Sequence, residues 1–158
     1  MKNFESSDFF ETLGGCQGFS FTPVNRIAAF PEAFASRVSS AIALVEPFTL
    51  LEGYASPGSL LFNESSKQTP SGMLYSISVK GFYPGTSEGM IALFHELSAD
   101  RFVVLVTDKS GKTRLAGSLR EPLSFSYQYS SKSAANERSG FEFVFSGEMT
   151  APCPVYMP

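Results

Sequence analysis

The stretch Gly85-Thr-Ser-Glu-Gly89 has the G-x-S-x-G spacing of a nucleophile elbow, a strained turn that exposes a serine for acyl transfer. Such a serine needs a histidine base that is oriented by a carboxylate. His95 is the single histidine and follows Ser87 by eight residues, which on one helix is about 12 Å at 1.5 Å per residue. Because that distance prevents side-chain contact, the sequence favours a helix N-terminus after a Pro-Gly turn over a hydrolase site.

Two further patterns fall short of a chemical site. Ser110-Gly-Lys-Thr113 ends like a phosphate-binding loop, but Val106 stands where the full motif requires its first glycine. Cys16 and Cys153 lie near opposite ends of the chain, and together with one histidine they do not make a zinc ligand set. The sequence therefore predicts no catalytic, cofactor-binding or metal-binding residue, no cofactor and no enzyme activity.

The composition indicates a folded chain with few charges. The chain has 158 residues with 16 Phe, six Tyr and no Trp, and its formal net charge is −3. This length predicts a single domain over residues 1–158, with a flexible N-terminal arm at 1–18 and a Pro-rich C-terminal tail at 150–158 that cannot continue a β-ladder. The absence of a basic block argues against nucleic acid as a partner.

The same features bear on location and redox state. No apolar stretch approaches the ~18 residues that a membrane helix needs, so no membrane partner is expected. The first residues do not form a signal peptide, which favours cytoplasmic synthesis with free thiols. Whether Cys16 and Cys153 pair is left open by the sequence.

Aromatic residues at every second position mark two strands, at 123–130 and 141–149. Phe and Tyr in this pattern can fill the core face of a sheet or form a stacking platform for bases or sugars. The few basic residues nearby favour the core. The connector 130–140 contains no group whose chemistry can be assigned.

The remaining elements build the frame around these strands. Met90, Leu93, Phe94 and Leu97 have helical spacing and predict an α-helix at about 87–98. Strands are predicted at 18–24, 73–83, 102–106 and 112–118, with the apolar run 102–106 as a central strand, a hairpin turn at 108–111 and a hairpin at 55–72. Residues 26–45 are ambiguous between a loop or short helix and a later strand. The order predicts an α+β fold, mainly antiparallel β, as a β-sandwich or split barrel with one flanking helix.

Several blocks of the sequence resemble small structural proteins of bacteriophage and prophage tails, of the tail-tube or tail-completion kind. The blocks are GGCQGFSFTPVNRIAAFPE, SGMLYSISVKGFYPG, RFVVLVTDKSGKTRLAGS, EPLSFSYQYS and SGFEFVFSGEMTAPCPVY. The resemblance implies a virion component made in a bacterial host, with arms that reach neighbouring subunits. It also implies self-association or contact with other tail proteins, and it carries no functional residue over to this chain.

Two functional hypotheses of different classes follow. The first is a non-enzymatic structural subunit of a phage or prophage tail that assembles through β-rich contacts and extended arms. The alternative is a carbohydrate- or small-ligand-binding β-domain, which predicts a stable monomer with an exposed aromatic cluster. The absence of Trp, the strongest stacking residue, weakens sugar binding.

Overall fold

The computed structural model describes residues 14–33, 36–131 and 138–158. In these residues ten strands form one sheet, two short strands form a second sheet, and one α-helix packs against the larger sheet. The elements are β1 (Cys16–Pro23), β2 (Ile27–Ala29), β3 (Arg37–Val38), β4 (Ala43–Leu44), β5 (Leu51–Gly53), β6 (Leu61–Thr69), β7 (Gly72–Pro84), α1 (Glu88–Leu97), β8 (Arg101–Asp108), β9 (Thr113–Ala116), β10 (Leu123–Ser130), β11 (Gly140–Met149) and β12 (Val155–Tyr156).

The large sheet branches at β8. One edge of β8 pairs with β1 along its length, and the other edge pairs with β10 at its start and with β9 at its end. Phe102, Val104 and Val106 pack into a core cluster on one face, whereas Val103 and Leu105 pack into a second cluster on the other face. The prediction of a central strand covered on both faces is confirmed, and it explains why this run does not alternate with polar residues.

From β10 the sheet continues through β11 and β7 to β6, all antiparallel. In the β10–β11 pair, Phe125 lies opposite Phe145 and Tyr127 lies opposite Phe143. These side chains fill the first core cluster, so the prediction that the aromatic residues form a core face is confirmed. Residues 132–137 of the connector lie outside the described residues.

The helix α1 packs on the inner face of this sheet, which curls into a half-barrel. Phe94 is its main contact, with ring centroids 5.0 Å from Phe141 and 5.4 Å from Phe125. The observed span Glu88–Leu97 confirms the predicted helix. The predicted α+β class, mainly antiparallel β with one helix, is likewise confirmed. In the described ranges no helix is long and apolar enough to cross a membrane.

The second core cluster lies on the outer face of β8 and corrects the prediction for residues 26–45. Ile27, Phe30 and Leu44 pack there from short strands and loops, so the helical interpretation of residues 26–45 is wrong for the described part of that segment. Prolines at positions 31 and 47 and several serines weaken a helix there, and packing on β8 decides the conformation. Residues 34–35 lie outside the described residues.

The C-terminal tail, the N-terminal arm and the hairpin also differ from the prediction. Val155 and Tyr156 form β12, which pairs with β9 and with β3, although the tail was predicted not to continue a ladder. The prolines lie at 152, 154 and 158, so these two residues keep their N–H groups. The predicted arm also ends earlier than expected, because β1 begins at Cys16, while residues 1–13 lie outside the described residues. The hairpin predicted at 55–72 is instead formed by β6 and β7, with its turn at 70–71.

Candidate functional site

Ser87 and His95 do not form a nucleophile–base pair in this fold. Ser87 lies just before α1, where its carbonyl oxygen accepts hydrogen bonds from the N–H groups of Met90 and Ile91 at 3.1 and 3.2 Å. His95 lies in the last turn of the same helix and is exposed. The two residues are therefore about 12 Å apart along one helix, and the G-x-S-x-G stretch serves as a helix start.

The turn between β8 and β9 is structural in the same way. The Asp108 carboxylate accepts hydrogen bonds from the N–H groups of Ser110 and Lys112 at 2.8 and 3.0 Å, and from the Ser110 hydroxyl. These bonds lower the pKa of Asp108, and the bond from the Ser110 hydroxyl has the largest effect. Gly111 has φ +84°, which fits the predicted glycine position in the hairpin. The Asp108 carboxylate thus stabilises the turn, and its hydrogen bonds are made within the turn.

The two cysteines are free thiols. Cys153 is buried, and its N–H donates to the Glu64 carboxylate at 2.7 Å. Burial raises the pKa of the Cys153 thiol far above its usual range, and the nearby charge of Glu64 adds to the effect. A protonated, buried thiol is a poor nucleophile and a poor metal ligand. Among the described residues no three of His, Cys, Asp or Glu cluster as metal ligands.

A concavity with a predominantly apolar lining lies between β5 and α1, and we call it the β5–α1 cleft. Six phenylalanine rings line it, and we call the four that come from β1 and β11 its floor. These are Phe19, Phe21, Phe143 and Phe145. One wall is β5 with residues 52–54, and the other is the α1 face that carries Met90, Leu93 and Leu97. The cleft encloses about 230 Å³.

The segment around β5 joins the sheet through β1 and, just beyond the strand, through one hydrogen bond to β7. In the described residues β5 pairs with β1 alone. Just after β5, the Ser56 N–H donates to the Phe82 carbonyl oxygen of β7 at 2.8 Å, which joins the two sides of the half-barrel at that end. Met90, Leu93, Phe94 and Leu97 of α1 line the cleft together with residues 52–54.

Packing of aromatic rings defines the shape of the β5–α1 cleft. The Phe19 ring lies directly over Gly53, where a Cβ atom would overlap the ring. This close approach of ring and backbone needs a residue without a side chain. Tyr54 and Tyr83 meet edge to face at 6.0 Å and line one end of the cleft. The floor is therefore held by neighbouring rings rather than by hydrogen bonds.

The chemistry that this cleft offers is binding. Its lining consists of aromatic and aliphatic side chains, with the exposed Glu52 as its carboxylate and the two tyrosine hydroxyls as its other polar side-chain groups. No serine, cysteine, histidine or lysine lines it. This lining removes an apolar ligand from water, and its one carboxylate, that of Glu52, is exposed.

The cleft was not predicted from the sequence. Its residues come from six separate segments, and only the curled sheet brings them together. Leu93 belongs to the apolar stripe predicted for the helix, and only the structure shows that it is 42% exposed and lines the cleft.

Comparisons with family models, with curated proteins and with solved structures found no significant match to this chain.

Proposed function

We propose that this chain is a non-enzymatic structural subunit of a phage or prophage tail, and that it assembles by strand addition at the open edge of β6. The observation that carries the proposal is β6 itself. It has nine residues, lies at the end of the strand order and, among residues 14–33, 36–131 and 138–158, pairs only with β7. Its register with β7 is continuous from Leu61↔Lys80 to Thr69↔Gly72.

A long regular edge strand is a template for pairing with another chain, and monomeric proteins protect such edges with charges, prolines or bulges. β6 contains no proline, and its register shows no bulge. Of its two charged residues, Glu64 directs its carboxylate to the Cys153 N–H, which leaves Lys67 as the exposed charge. The edge is therefore weakly protected.

The surface around this edge also favours contact with another chain. Residues 65–68 are exposed on both faces of the strand. Leu61 at the start of β6 is 54% exposed, and Met73 at the start of β7 is 40% exposed. Backbone hydrogen bonds from the edge would supply affinity, and these apolar side chains would add buried area.

The symmetry of the contact determines what assembles. If β6 pairs with β6 of a second copy, the contact is isologous and closes as a dimer. If β6 pairs with a different edge, the contact is heterologous and produces a ring or a tube, as a tail structure requires. The partners under this proposal are other copies of the chain or other tail proteins, and the assembled protein is a virion component.

Assembly is tested by light scattering after size exclusion over a wide concentration range, with negative-stain imaging of any large species. We expect a concentration-dependent oligomer, and rings or tubes in the images. A strict monomer at the highest concentration, with no assembly induced by tail proteins, would contradict the proposal. A closed β6–β6 dimer would retain strand addition and reject the tail role.

Two adjacent proline variants locate the contact. Neighbouring residues of an edge strand direct their N–H groups to opposite sides, so one of Ser65→Pro and Ser66→Pro removes an outward N–H and the other removes a bond to β7. We expect the variant that lacks the outward N–H to keep the melting temperature of the parent chain and to lose assembly. Thermal denaturation tells the two kinds apart. If the variant with native stability still assembles, β6 is not the contact.

We favour the tail role over the carbohydrate alternative because most rings of the Phe/Tyr ladder pack in the core, with Tyr129 exposed. The apolar lining of the β5–α1 cleft also lacks the array of hydrogen-bonding groups that a sugar needs.

A further inference from the structure

We infer that the β5–α1 cleft binds a small, uncharged apolar molecule, aromatic or branched aliphatic, of about ten non-hydrogen atoms. This inference does not depend on assembly at β6, since Leu61 and the other β6 residues do not line the cleft. It concerns the inner side of the half-barrel and a ligand rather than a second chain.

The lining determines the chemical class of the ligand. The rings of Phe19 and Phe143 lie 5.5 Å apart, and those of Phe21 and Phe145 lie 5.3 Å apart. Ring faces and edges at such spacings pack well against another ring or a branched alkyl group. A charged group placed on this floor would lose its hydration, and Glu52, the charged residue of the lining, is itself exposed, so the ligand is uncharged at the end that meets the rings.

The size of the cleft excludes larger occupants. At the packing density of protein interiors, about 0.74, a volume of about 230 Å³ accommodates roughly ten non-hydrogen atoms. An α-helix is ~10 Å wide with its side chains, and a stable protein interface buries about 1,200 Å² or more. A dry apolar cavity of about 150 Å³ already takes up benzene. A small molecule is thus the occupant that fits.

Access and adaptability come from α1. Leu93 is partly exposed at the side of the cleft that the helix forms, so a ligand reaches the floor past this side chain. Met90 is half-buried beside it, and a flexible thioether adjusts to the outline of a ligand at little energetic cost. The aromatic floor is fixed, and the helix wall is the adaptable side.

The probe is 1-aminonaphthalene in its neutral form at pH 7, whose fluorescence emission shifts to shorter wavelength in an apolar site. We expect saturable binding of one molecule per chain with a Kd on the order of 10–100 µM. We also expect the ligand to raise the melting temperature, since it binds the folded state. Binding that does not saturate up to 1 mM, or more than one molecule per chain, would overturn the inference.

A matched pair of variants on one helix locates the site. Leu93→Trp adds volume in the cleft, whereas Ile91→Trp adds the same side chain at a position that is 47% exposed and does not line it. We expect Leu93→Trp to weaken binding at least tenfold and Ile91→Trp to change it less than twofold. Equal effects of the two variants would overturn the inference.

If Leu93→Trp fails to fold, Leu93→Ala tests instead whether the probe binds in the cleft. It removes part of the wall, and we expect a threefold or greater loss of affinity for the probe with the circular dichroism spectrum unchanged. An affinity equal to that of the parent chain would place the probe elsewhere and overturn the inference.

Discussion

Replacing Phe145 by alanine is expected to remove the centre of the aromatic core. This side chain is 1% exposed, and its ring centroid lies 4.9 Å from that of Phe125 and 5.3 to 6.0 Å from those of Phe21, Phe102 and Phe19. A buried Phe→Ala change costs about 3–5 kcal/mol, because transfer free energy is lost and a cavity remains. A domain of this size has a total stability of roughly 5–15 kcal/mol.

The expected shift follows from that range. In a chain of this length each kcal/mol lowers the melting temperature by about 2–4 °C, so Phe145→Ala should lower it by about 12 °C. Urea denaturation gives the change in the free energy of unfolding directly, provided that the slope with denaturant is unchanged. Thermal denaturation followed by circular dichroism is the second readout.

Tyr129→Ala is the matched control. Tyr129 belongs to the same ladder, with its ring 5.2 Å from that of Phe141, but it is 48% exposed. Its removal should cost about 1 kcal/mol or less, since much of its surface stays in water in the folded state. Equal losses for the two variants would refute the conclusion that burial, rather than aromatic character alone, stabilises this sheet.

Three further changes test local features. Gly53→Ala should destabilise the fold by about 1–3 kcal/mol in urea, since the new Cβ overlaps the Phe19 ring and the ring must move. Because the pKa of Asp108 is lowered, its contribution to stability is present above the unfolded pKa of about 3.9 and is lost as pH falls through the folded value. Asp108→Ala should therefore lower the free energy of unfolding at pH 7 by at most about 1 kcal/mol. At pH 2 the difference from the parent chain should be much smaller. The raised pKa of the buried Cys153 thiol means that Cys16 should react first with a disulfide reagent at pH 8, and Cys153 only after denaturation; equal rates in the folded protein would contradict this order.

Elements with a strong local pattern could be predicted from the sequence. The alternation at 123–130 and 141–149 corresponds to β10 and β11, because side chains of a strand point alternately to its two faces. The 3.6-residue period around Phe94 corresponds to α1, and the apolar run 102–106 corresponds to the doubly covered β8. In each case one residue period is repeated often enough to specify the element.

Segments with short or mixed patterns could not be predicted. Ile27, Phe30 and Leu44 are spaced as on a helix, but they contact the outer face of β8 from separate short strands and loops. Val155 and Tyr156 form a strand only because β9 and β3 offer backbone partners on both sides. Two-residue strands carry no periodicity, so the partner surface decides their conformation.

The sequence by itself determined the strands of the aromatic core, the helix and the lack of a catalytic constellation around Ser87, since these depend on residue type and local spacing. Only the tertiary structure decided that β6 ends the strand order of the described residues and that residues of β5 and α1 line one apolar cleft. The physical reason is that both features depend on which strands are neighbours in the sheet. Pairing joins residues far apart in the chain, so its absence at one edge has no signature in the local sequence.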